Sequence, residues 1–393
     1  MNILRTLAAS TALAALALAS AQSPAQAADP VKIGMITTLS GGGAGLGVDI
    51  RDGFELALKQ KGGMLGGVAT ELTVVDDARK VENAKQAVTR MLKKDDVDVV
   101  TGIVWSNLAM AVVPTVTRAG KIYISPNAGP SALAGKGCHP NYFNVAWQND
   151  NLHEAMGQYV ADKGFKKVYL LAPNYPAGKD ALTGFKRFFK GTVAAEVYTK
   201  LGQVDYAAEI ANLRAAKPDA VFFFLPGGMG INFVKQYAQA GLTKTTPLFG
   251  PAFSFDEGIL KAVGKAAVGV MNSSQYTHDL DNAANKAFVA AFKEAYGRTP
   301  SLYASQGYDA ALLLDGAIAK VGGKVSDTEA FRAAIKAAPF TSIRGSFKFG
   351  SNNHPVQDIY VREVVAAGEG VTNKTVGKVF TGHADAYAAQ CKM

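Results

Sequence analysis

Short apolar segments alternate along the chain with longer segments in which apolar and polar residues are mixed. The first four apolar segments of this pattern are residues 31–37, 72–76, 97–104 and 121–125. Residues 99–104 are largely apolar at both odd and even positions, which is typical of a parallel strand covered by helices on both faces. The pattern therefore predicts four strands of a parallel sheet.

The segments between these strands have the spacing of amphipathic helices, at 48–61, 81–94 and 107–118. The same alternation then begins again and ends in a helical region and a β-rich tail. Two successive runs of this kind predict an α/β protein with two doubly wound domains. The later elements are predicted strands 167–172, 194–200, 220–225 and 247–250, predicted helices 152–163, 179–190, 207–216, 231–240, 256–263, 283–296, 304–320 and 328–337, and a tail at 343–380.

The first 27 residues have the pattern of a signal peptide. Arg5 supplies a positive charge, residues 7–19 are almost entirely small and apolar, and Ala25-Gln26-Ala27 forms a small-residue cleavage pattern. The apolar stretch has about 13 residues, whereas a membrane span needs ~20. We therefore expect export to the periplasm and a mature chain that begins at Ala28.

Composition excludes several classes of protein. The chain is 48% hydrophobic and 19% charged, which is sufficient for two buried cores, and its formal charge of +9 is spread over many segments. Dispersed lysines indicate solvated surfaces and not a nucleic-acid-binding stripe. The two cysteines, Cys138 and Cys391, cannot form a four-ligand zinc site. In an oxidising compartment one disulfide is their simplest use, although two separate thiols also fit the sequence.

Motifs of catalysis and cofactor binding are missing from the sequence. The glycine-rich segment 39–47 fits neither the dinucleotide-binding nor the phosphate-loop pattern, and no G-x-S-x-G segment occurs. The histidines lack metal-ligand spacing, and we interpret them as surface or loop residues. We therefore predict neither an enzyme nor a cofactor or metal site. The five histidines are His139, His153, His278, His354 and His383.

Ligand-binding candidates lie where predicted strands end, because open α/β sheets bind ligands at the carboxyl ends of their strands. Trp105, Ser106 and Asn107 follow the strand 97–104 and open a helix. The Ser106 hydroxyl and the first-turn N–H groups can hold a carboxylate. Ser106 can also cap the helix, and the two roles are compatible.

A second turn after the strand 121–125 contains Asn127, Ala128 and Gly129, which offer polar groups and free N–H groups. Strand ends in the second run provide Tyr175 and Phe253 as aromatic walls. Trp147 lies where the first run ends, and a tryptophan at such a position usually packs and does not bind ligand.

Four segments, in this order and spacing, resemble the leucine/isoleucine/valine-binding family of periplasmic substrate-binding proteins, which serve ABC importers. The resemblance implies a type I periplasmic binding protein: two similar doubly wound lobes joined by a three-crossing hinge, a monomer that delivers a small molecule to an inner-membrane permease with its ATPase subunits. It implies lobes of residues 28–147 with 277–342 and 148–276 with 343–393, with later crossings near 271–276 and 341–345. The segments are VKIGMITTLSGGGAGLGVDIRDGFELAL, VDVVTGIVWSNLAMAVVP, KIYISPNAGPSALAG and FNVAWQND.

The resemblance also assigns roles to single residues. Ser106 matches the family's carboxylate-binding serine, and Asn127 and Gly129 match the second turn that contacts the same carboxylate. Amino-acid binders of this family carry an acidic residue after a Gly-Pro pair, where it holds the ligand's ammonium group. Here Gly250-Pro251 is followed by Ala252.

A buried ammonium without a carboxylate partner costs several kcal/mol. The sequence therefore favours a small carboxylate without an amine, such as an aromatic acid. The alternative is a branched-chain amino acid whose ammonium is held by another acidic residue, with Asp150 and Asp256 as candidates.

The predicted signal peptide can be tested directly. Because the small-residue pattern ends at Ala27, we expect N-terminal sequencing of periplasmic protein to begin at Ala28. An intact Met1 on protein recovered from the cytoplasm would contradict the prediction.

Overall fold

The computed structural model describes residues 29–393. The predicted signal peptide, residues 1–27, and the predicted first mature residue, Ala28, lie outside the described residues. No helix within residues 29–393 is long and apolar enough to cross a membrane.

The first sheet has six strands in the order β2-β3-β1-β4-β5-β6. Its strands pair in parallel, except that β2 and β3 form an antiparallel hairpin. These strands are β1 Val31–Thr37, β2 Met64–Leu65, β3 Val68–Asp76, β4 Val99–Thr101, β5 Ile122–Ser125 and β6 Tyr142–Asn144.

The second sheet has the order β12-β13-β11-β10-β9-β7-β8, with β14 paired to β13. Strands β7 to β11 pair in parallel, whereas β13 is antiparallel to β11, β12 and β14. The strands are β7 Lys167–Pro173, β8 Thr192–Thr199, β9 Ala220–Phe223, β10 Leu248–Pro251, β11 Met271–Ser274, β12 Phe347–Phe349, β13 Pro355–Ala367 and β14 Gly370–His383.

Helices cover both sheets, and the two doubly wound layers confirm the predicted α/β fold class. The chain passes between the layers after β6, after β11 and after the last helix. The helices are α1 Ala44–Gln60, α2 Val81–Lys93, α3 Ser106–Arg118, α4 Ser131–Ala134, α5 Asn151–Asp162, α6 Pro176–Phe188, α7 Ala207–Ala216, α8 Gly228–Gln239, α9 Glu257–Val263, α10 Ala283–Tyr296, α11 Leu302–Lys320 and α12 Thr328–Lys336.

Strand β4 is shorter than the apolar segment 97–104 predicted. The reason is Gly102, whose φ of 107° lies in the region that disfavours side chains. A Cβ at Gly102 would also lie 2.7 Å from the carbonyl oxygen of Ile36. The chain therefore leaves the sheet after Thr101, and residues 102–105 carry it over the sheet edge to the start of α3.

Helices α1 and α11 pack with their backbones in close contact. A Cβ at Gly53 would lie 2.0 Å from the carbonyl oxygen of Ala304, and one at Gly307 would lie 1.9 Å from that of Ile50. Both positions therefore require glycine at this helix–helix distance. The close packing fixes the N-terminal turn of α11, which carries Tyr303, at the edge of the first sheet.

Cys138 and Cys391 form a disulfide in this structure, with their Cα atoms 5.6 Å apart and a sequence separation of 253. The bond joins the loop after α4 to the C-terminal residues. The sequence was compatible with either a disulfide or two separate thiols, and the structure contains the disulfide.

The disulfide makes a prediction about stability. Because the cross-link restricts the unfolded chain, Cys138→Ser with Cys391→Ser should lower the free energy of unfolding by about 2–5 kcal/mol. Denaturant titration measures the loss, and thiol titration of denatured, unreduced protein should detect no free thiol. Two reactive thiols per chain would show that the bond does not form.

Candidate functional site

A cavity lies between the two sheets, where the carboxyl ends of their strands meet. About 350 Å³ between the lining residues is not occupied by protein atoms, including space that is open to solvent. Among the residues that the structure describes, its lining has no Asp, Glu, Lys or Arg. The lining residues are Leu46, Val104, Trp105, Ser106, Asn127, Ala128, Trp147, Asn149, His153, Tyr175, Ala177, Phe224, Pro226, Phe253 and Tyr303.

Ser106 is the first residue of α3 and is almost completely buried. The preceding residue, Trp105, is the N-cap, and no side-chain cap is formed. The Ser106 hydroxyl accepts a hydrogen bond from Nδ2 of Asn149 at 3.1 Å, so its own proton stays available. This serine therefore presents a hydroxyl donor at a helix N-terminus, where the helix dipole favours negative charge.

The turn after β5 is held by the carbonyl oxygen of Ala128. That oxygen accepts from Ser125 Oγ at 2.6 Å, Asn144 Nδ2 at 2.9 Å and the Tyr142 hydroxyl at 3.1 Å. Asn127 uses Nδ2 to donate to Gln306 at 2.9 Å. The three converging donors fix the turn and place Asn127 and Ala128 against the cavity.

Gly129 has a packing role in the same turn. Its N–H donates to Oδ1 of Asn149 at 3.1 Å, and a Cβ here would lie 2.2 Å from the Trp147 carbonyl oxygen. Asn107, on the other turn, has its Oδ1 buried without a hydrogen-bond partner among the described residues. Neither Gly129 nor Asn107 lines the cavity.

The structure thus brings six of the eight predicted site residues to one cavity. Each of these six residues lies just after the carboxyl end of a strand, and the strand ends of both sheets meet at the cavity. The six residues are Trp105, Ser106, Asn127, Ala128, Tyr175 and Phe253.

Aromatic rings form most of the cavity wall. The rings of Trp147 and Phe253 meet edge to face at 4.5 Å, and Tyr175 stacks on Phe224 at 6.3 Å. Trp105 lies 6.3 Å from Tyr175 and fixes its indole N–H on Thr38. Such pairs prefer offset or edge-to-face geometry, so these contacts stabilise the wall.

Two tyrosines, Tyr175 and Tyr303, also line the cavity. Burial raises the pKa of both phenols above the usual value, so both remain protonated at neutral pH. They are donors in addition to Ser106.

Sequence reasoning missed several lining residues. Trp147, expected to pack, lines the cavity, and His153, expected on the surface, is buried there at 1% exposure. His354, also expected at the surface, is buried away from the cavity because its ring packs on Tyr142. Asn149 carries a signal that could have been used, because it lies in the segment FNVAWQND beside the first crossing.

The acidic candidates for an ammonium partner are engaged elsewhere. Asp256 accepts the Leu302 N–H at 2.6 Å, and burial raises its pKa to about 7. Asp150 accepts from the Tyr387 hydroxyl at 2.9 Å, and burial, with Asp180 nearby, raises its pKa to about 7. Neither aspartate lines the cavity. Phe253, the residue after Ala252, does line it.

The two walls of the cavity are joined by hydrogen bonds. Asp180 of α6 accepts from the Ser131 hydroxyl at 2.6 Å, from the Ser131 N–H at 3.0 Å and from Asn149 at 2.9 Å. The glycine-rich loop also contacts the second wall, because a Cβ at Gly227 would lie 3.2 Å from the Gly42 carbonyl oxygen. The arrangement is therefore closed over the cavity.

Two doubly wound sheets, joined by three crossings and closed on a cavity at their carboxyl edges, define the type I periplasmic binding fold. Residues 30–369 match the family described as periplasmic binding protein. The chain belongs to this family.

Individual relatives extend the match. A Leu/Ile/Val-binding protein homolog 6 of Brucella melitensis is 29% identical over 369 residues, which cover 91% of this chain and 94% of that protein. These matches confirm the resemblance to the leucine/isoleucine/valine-binding family.

Two solved structures are also similar. An ABC transporter solute-binding protein from R. palustris in complex with benzoate is 36% identical, with a TM-score of 0.87, and covers 93% of this chain and 100% of that one. Another from Rhodopseudomonas palustris BisB5, in complex with 3,4-dihydroxybenzoic acid, is 32% identical, with a TM-score of 0.84 and coverage of 91% and 99%.

Proposed function

We propose that this protein is the periplasmic solute-binding subunit of an ABC importer and captures a small aromatic carboxylate in the cavity between its lobes. The observation that carries the proposal is an aromatic cavity with hydroxyl and helix N-terminal donors but no charged residue in its described lining. It works without catalysis, as a monomer, and delivers the ligand to the inner-membrane permease and its ATPase subunits.

The carboxylate end of the ligand lies at Ser106. Ser106 is the first residue of α3 and lines the cavity, and an anion at this helix N-terminus is favoured by the helix dipole. Hydrogen bonds to a charged acceptor are worth roughly 1.5–3 kcal/mol each. Neutral donors therefore suffice for a single buried carboxylate.

The same lining disfavours an amino acid. An ammonium group would enter a cavity whose described lining has no carboxylate, and Ala252 stands where the family resemblance implies the acidic residue of an amino-acid binder. Desolvation without a charged partner would cost several kcal/mol. The alternative, a branched-chain amino acid, has support from the names of the curated relatives but not from the lining.

The aromatic lining suits the ring of the ligand. Trp105, Tyr175, Trp147 and Phe253 all line the cavity, so an aromatic ligand would be buried against their rings. The benzoate and 3,4-dihydroxybenzoic acid complexes of similar proteins support this class of ligand.

The proposed lobes are residues 28–147 with 277–342 and residues 148–276 with 343–393. Support comes from the sheets, since β1 to β6 lie in one and β7 to β14 in the other. Helix α11 packs on α1 of the first layer although it follows β11 in sequence. Hinge motion about the crossings would open and close the cavity.

A calorimetric panel tests the ligand class. We expect benzoate and 3-phenylpropionate to bind and to raise the melting temperature by mass action, because only the closed folded form offers the donors. Leucine, isoleucine and valine should give no measurable binding. Protein unfolded and refolded beforehand would be free of any ligand that co-purifies.

Two further compounds test the effect of the ligand's ammonium and carboxylate groups separately. Phenylalanine differs from 3-phenylpropionate only by its ammonium, and benzamide differs from benzoate by its missing charge. We expect both to bind at least tenfold more weakly than their partners. Tight leucine binding without a response to any aromatic acid would contradict the proposal and favour the amino-acid alternative.

Ser106→Ala tests the carboxylate anchor. Loss of the hydroxyl should weaken benzoate binding by about 1–3 kcal/mol, because a charged acceptor loses a buried donor. The free energy of unfolding should fall by no more than about 1–3 kcal/mol, because Asn149 loses its bond to Ser106 but keeps its bond to Asp180.

Ser305→Ala is the matched control for this substitution. Ser305 is equally buried but donates within its own helix, to the Leu302 carbonyl oxygen at 2.6 Å, and does not line the cavity. It should leave benzoate affinity unchanged. Equal losses in both variants would show that Ser106 acts only through the fold.

A further inference from the structure

His153 contributes a buried hydrogen-bond acceptor to the cavity. It lies in the first turn of α5, at 1% exposure, and lines the cavity. Its Nδ1 lies 2.6 Å from the carbonyl oxygen of Asn149. A carbonyl oxygen only accepts, so Nδ1 carries the proton of this hydrogen bond.

The second ring nitrogen is thereby fixed as an acceptor. In a neutral imidazole one nitrogen donates and the other accepts, so Nε2 carries a lone pair. Burial lowers the pKa of His153 to about 3, which keeps the ring neutral at neutral pH. Among residues 29–393, Nε2 has no hydrogen-bond partner.

The surroundings of the ring hold it in this orientation. The imidazole stacks on Phe253 at 5.9 Å and meets Phe224 edge to face at 5.0 Å. Both phenylalanines also line the cavity and offer no donor. The acceptor therefore has aromatic neighbours, and it belongs to a residue that lines the cavity.

We propose that His153 selects ligands whose aromatic ring carries a hydroxyl group, with the hydroxyl donating to Nε2 while the carboxylate lies at Ser106. The proposal rests on the proposed function and narrows its ligand class to hydroxylated aryl carboxylates. A protonated phenol supplies the donor that the imidazole lacks. A plain ring leaves a buried acceptor unpaired.

The cost of that unpaired acceptor sets the expected selectivity. An unsatisfied buried acceptor costs enough to change affinity about ten- to a hundredfold. Sites that hydrogen-bond a substrate hydroxyl discriminate more strongly than sites that only exclude by size. Selectivity at His153 should therefore depend on the donor proton and not on the size of the substituent.

Calorimetry on the unmodified protein tests this with pairs of ligands of similar shape. 4-Hydroxybenzoate is compared with 4-fluorobenzoate, and 3-hydroxybenzoate with 3-fluorobenzoate, because fluorine occupies a similar volume but has no proton to donate. We expect the hydroxyl member of at least one pair to bind about ten- to a hundredfold more tightly. Equal affinities in both pairs would overturn the proposal.

His153→Phe removes the acceptor but retains an aromatic ring beside Phe253. We expect it to reduce the hydroxyl-to-fluoro preference to within about threefold of unity, while fluorobenzoate affinity changes much less. If the variant still prefers hydroxybenzoate over fluorobenzoate, the ligand's hydroxyl does not bind to His153 and the proposal is wrong. The ligand pairs on unmodified protein keep the test intact if the variant does not fold.

His354→Phe is the matched control. His354 is equally buried, its Nδ1 also contacts a backbone carbonyl, that of Asn352, at 3.0 Å, and its Nε2 also has no partner among the described residues. It does not line the cavity, so the variant should keep the full preference. A loss there equal to that in His153→Phe would overturn the assignment.

The outcomes separate this inference from the proposed function. If no aryl carboxylate binds, the proposed function fails. If benzoates bind but the hydroxyl and fluoro members of each pair bind equally, the proposed function stands and only the role of His153 is wrong.

Discussion

Asn149 connects four parts of the candidate site through hydrogen bonds. Its Nδ2 donates to Ser106 at 3.1 Å and to Asp180 at 2.9 Å, and its Oδ1 accepts from the Gly129 N–H at 3.1 Å. Its backbone carbonyl accepts from His153. Because the residue is buried, each of these bonds that is lost would leave a polar group unpaired at roughly 1–3 kcal/mol. The two turns of the first sheet, the second wall and the His153 imidazole are therefore all hydrogen-bonded to Asn149.

Closure of the cavity depends on this network through Asp180. Burial raises the pKa of that carboxyl, and bonds from Ser131 and Asn149 oppose the rise. Ser131 belongs to the first layer and Asp180 to the second, so the two bonds from Ser131 reach the carboxylate only when the walls are together. An anionic ligand at Ser106 uses the other side of the same serine that Asn149 contacts. In the proposed function, ligand and hydrogen-bond network stabilise the same closed state, which is how a ligand shifts a two-state equilibrium.

Sequence patterns predicted the frame of the site better than its interior. Strand ends follow from apolar runs and turn residues, so Ser106, Tyr175 and Phe253 could be assigned to a common edge without a structure. The missing acid at Ala252 was also visible in the sequence. His153 could not be assigned, because helical spacing says only that it lies in α5. Its neighbours Phe224 and Phe253 come from distant turns, and tertiary packing alone decides that its ring is buried beside them.

The absence of charge from the described lining has a physical consequence for a transport protein. A buried Lys or Arg would have to be desolvated with the ligand, and buried ion pairs often recover little more than that cost. A helix N-terminus and fixed hydroxyls need no such desolvation of a second ion, because their dipoles are already oriented by the fold. They also leave no unpaired charge behind when the ligand departs. In the proposed function, a carboxylate can thus be held by the closed form and released on opening without stranding a charged side chain in an apolar cavity.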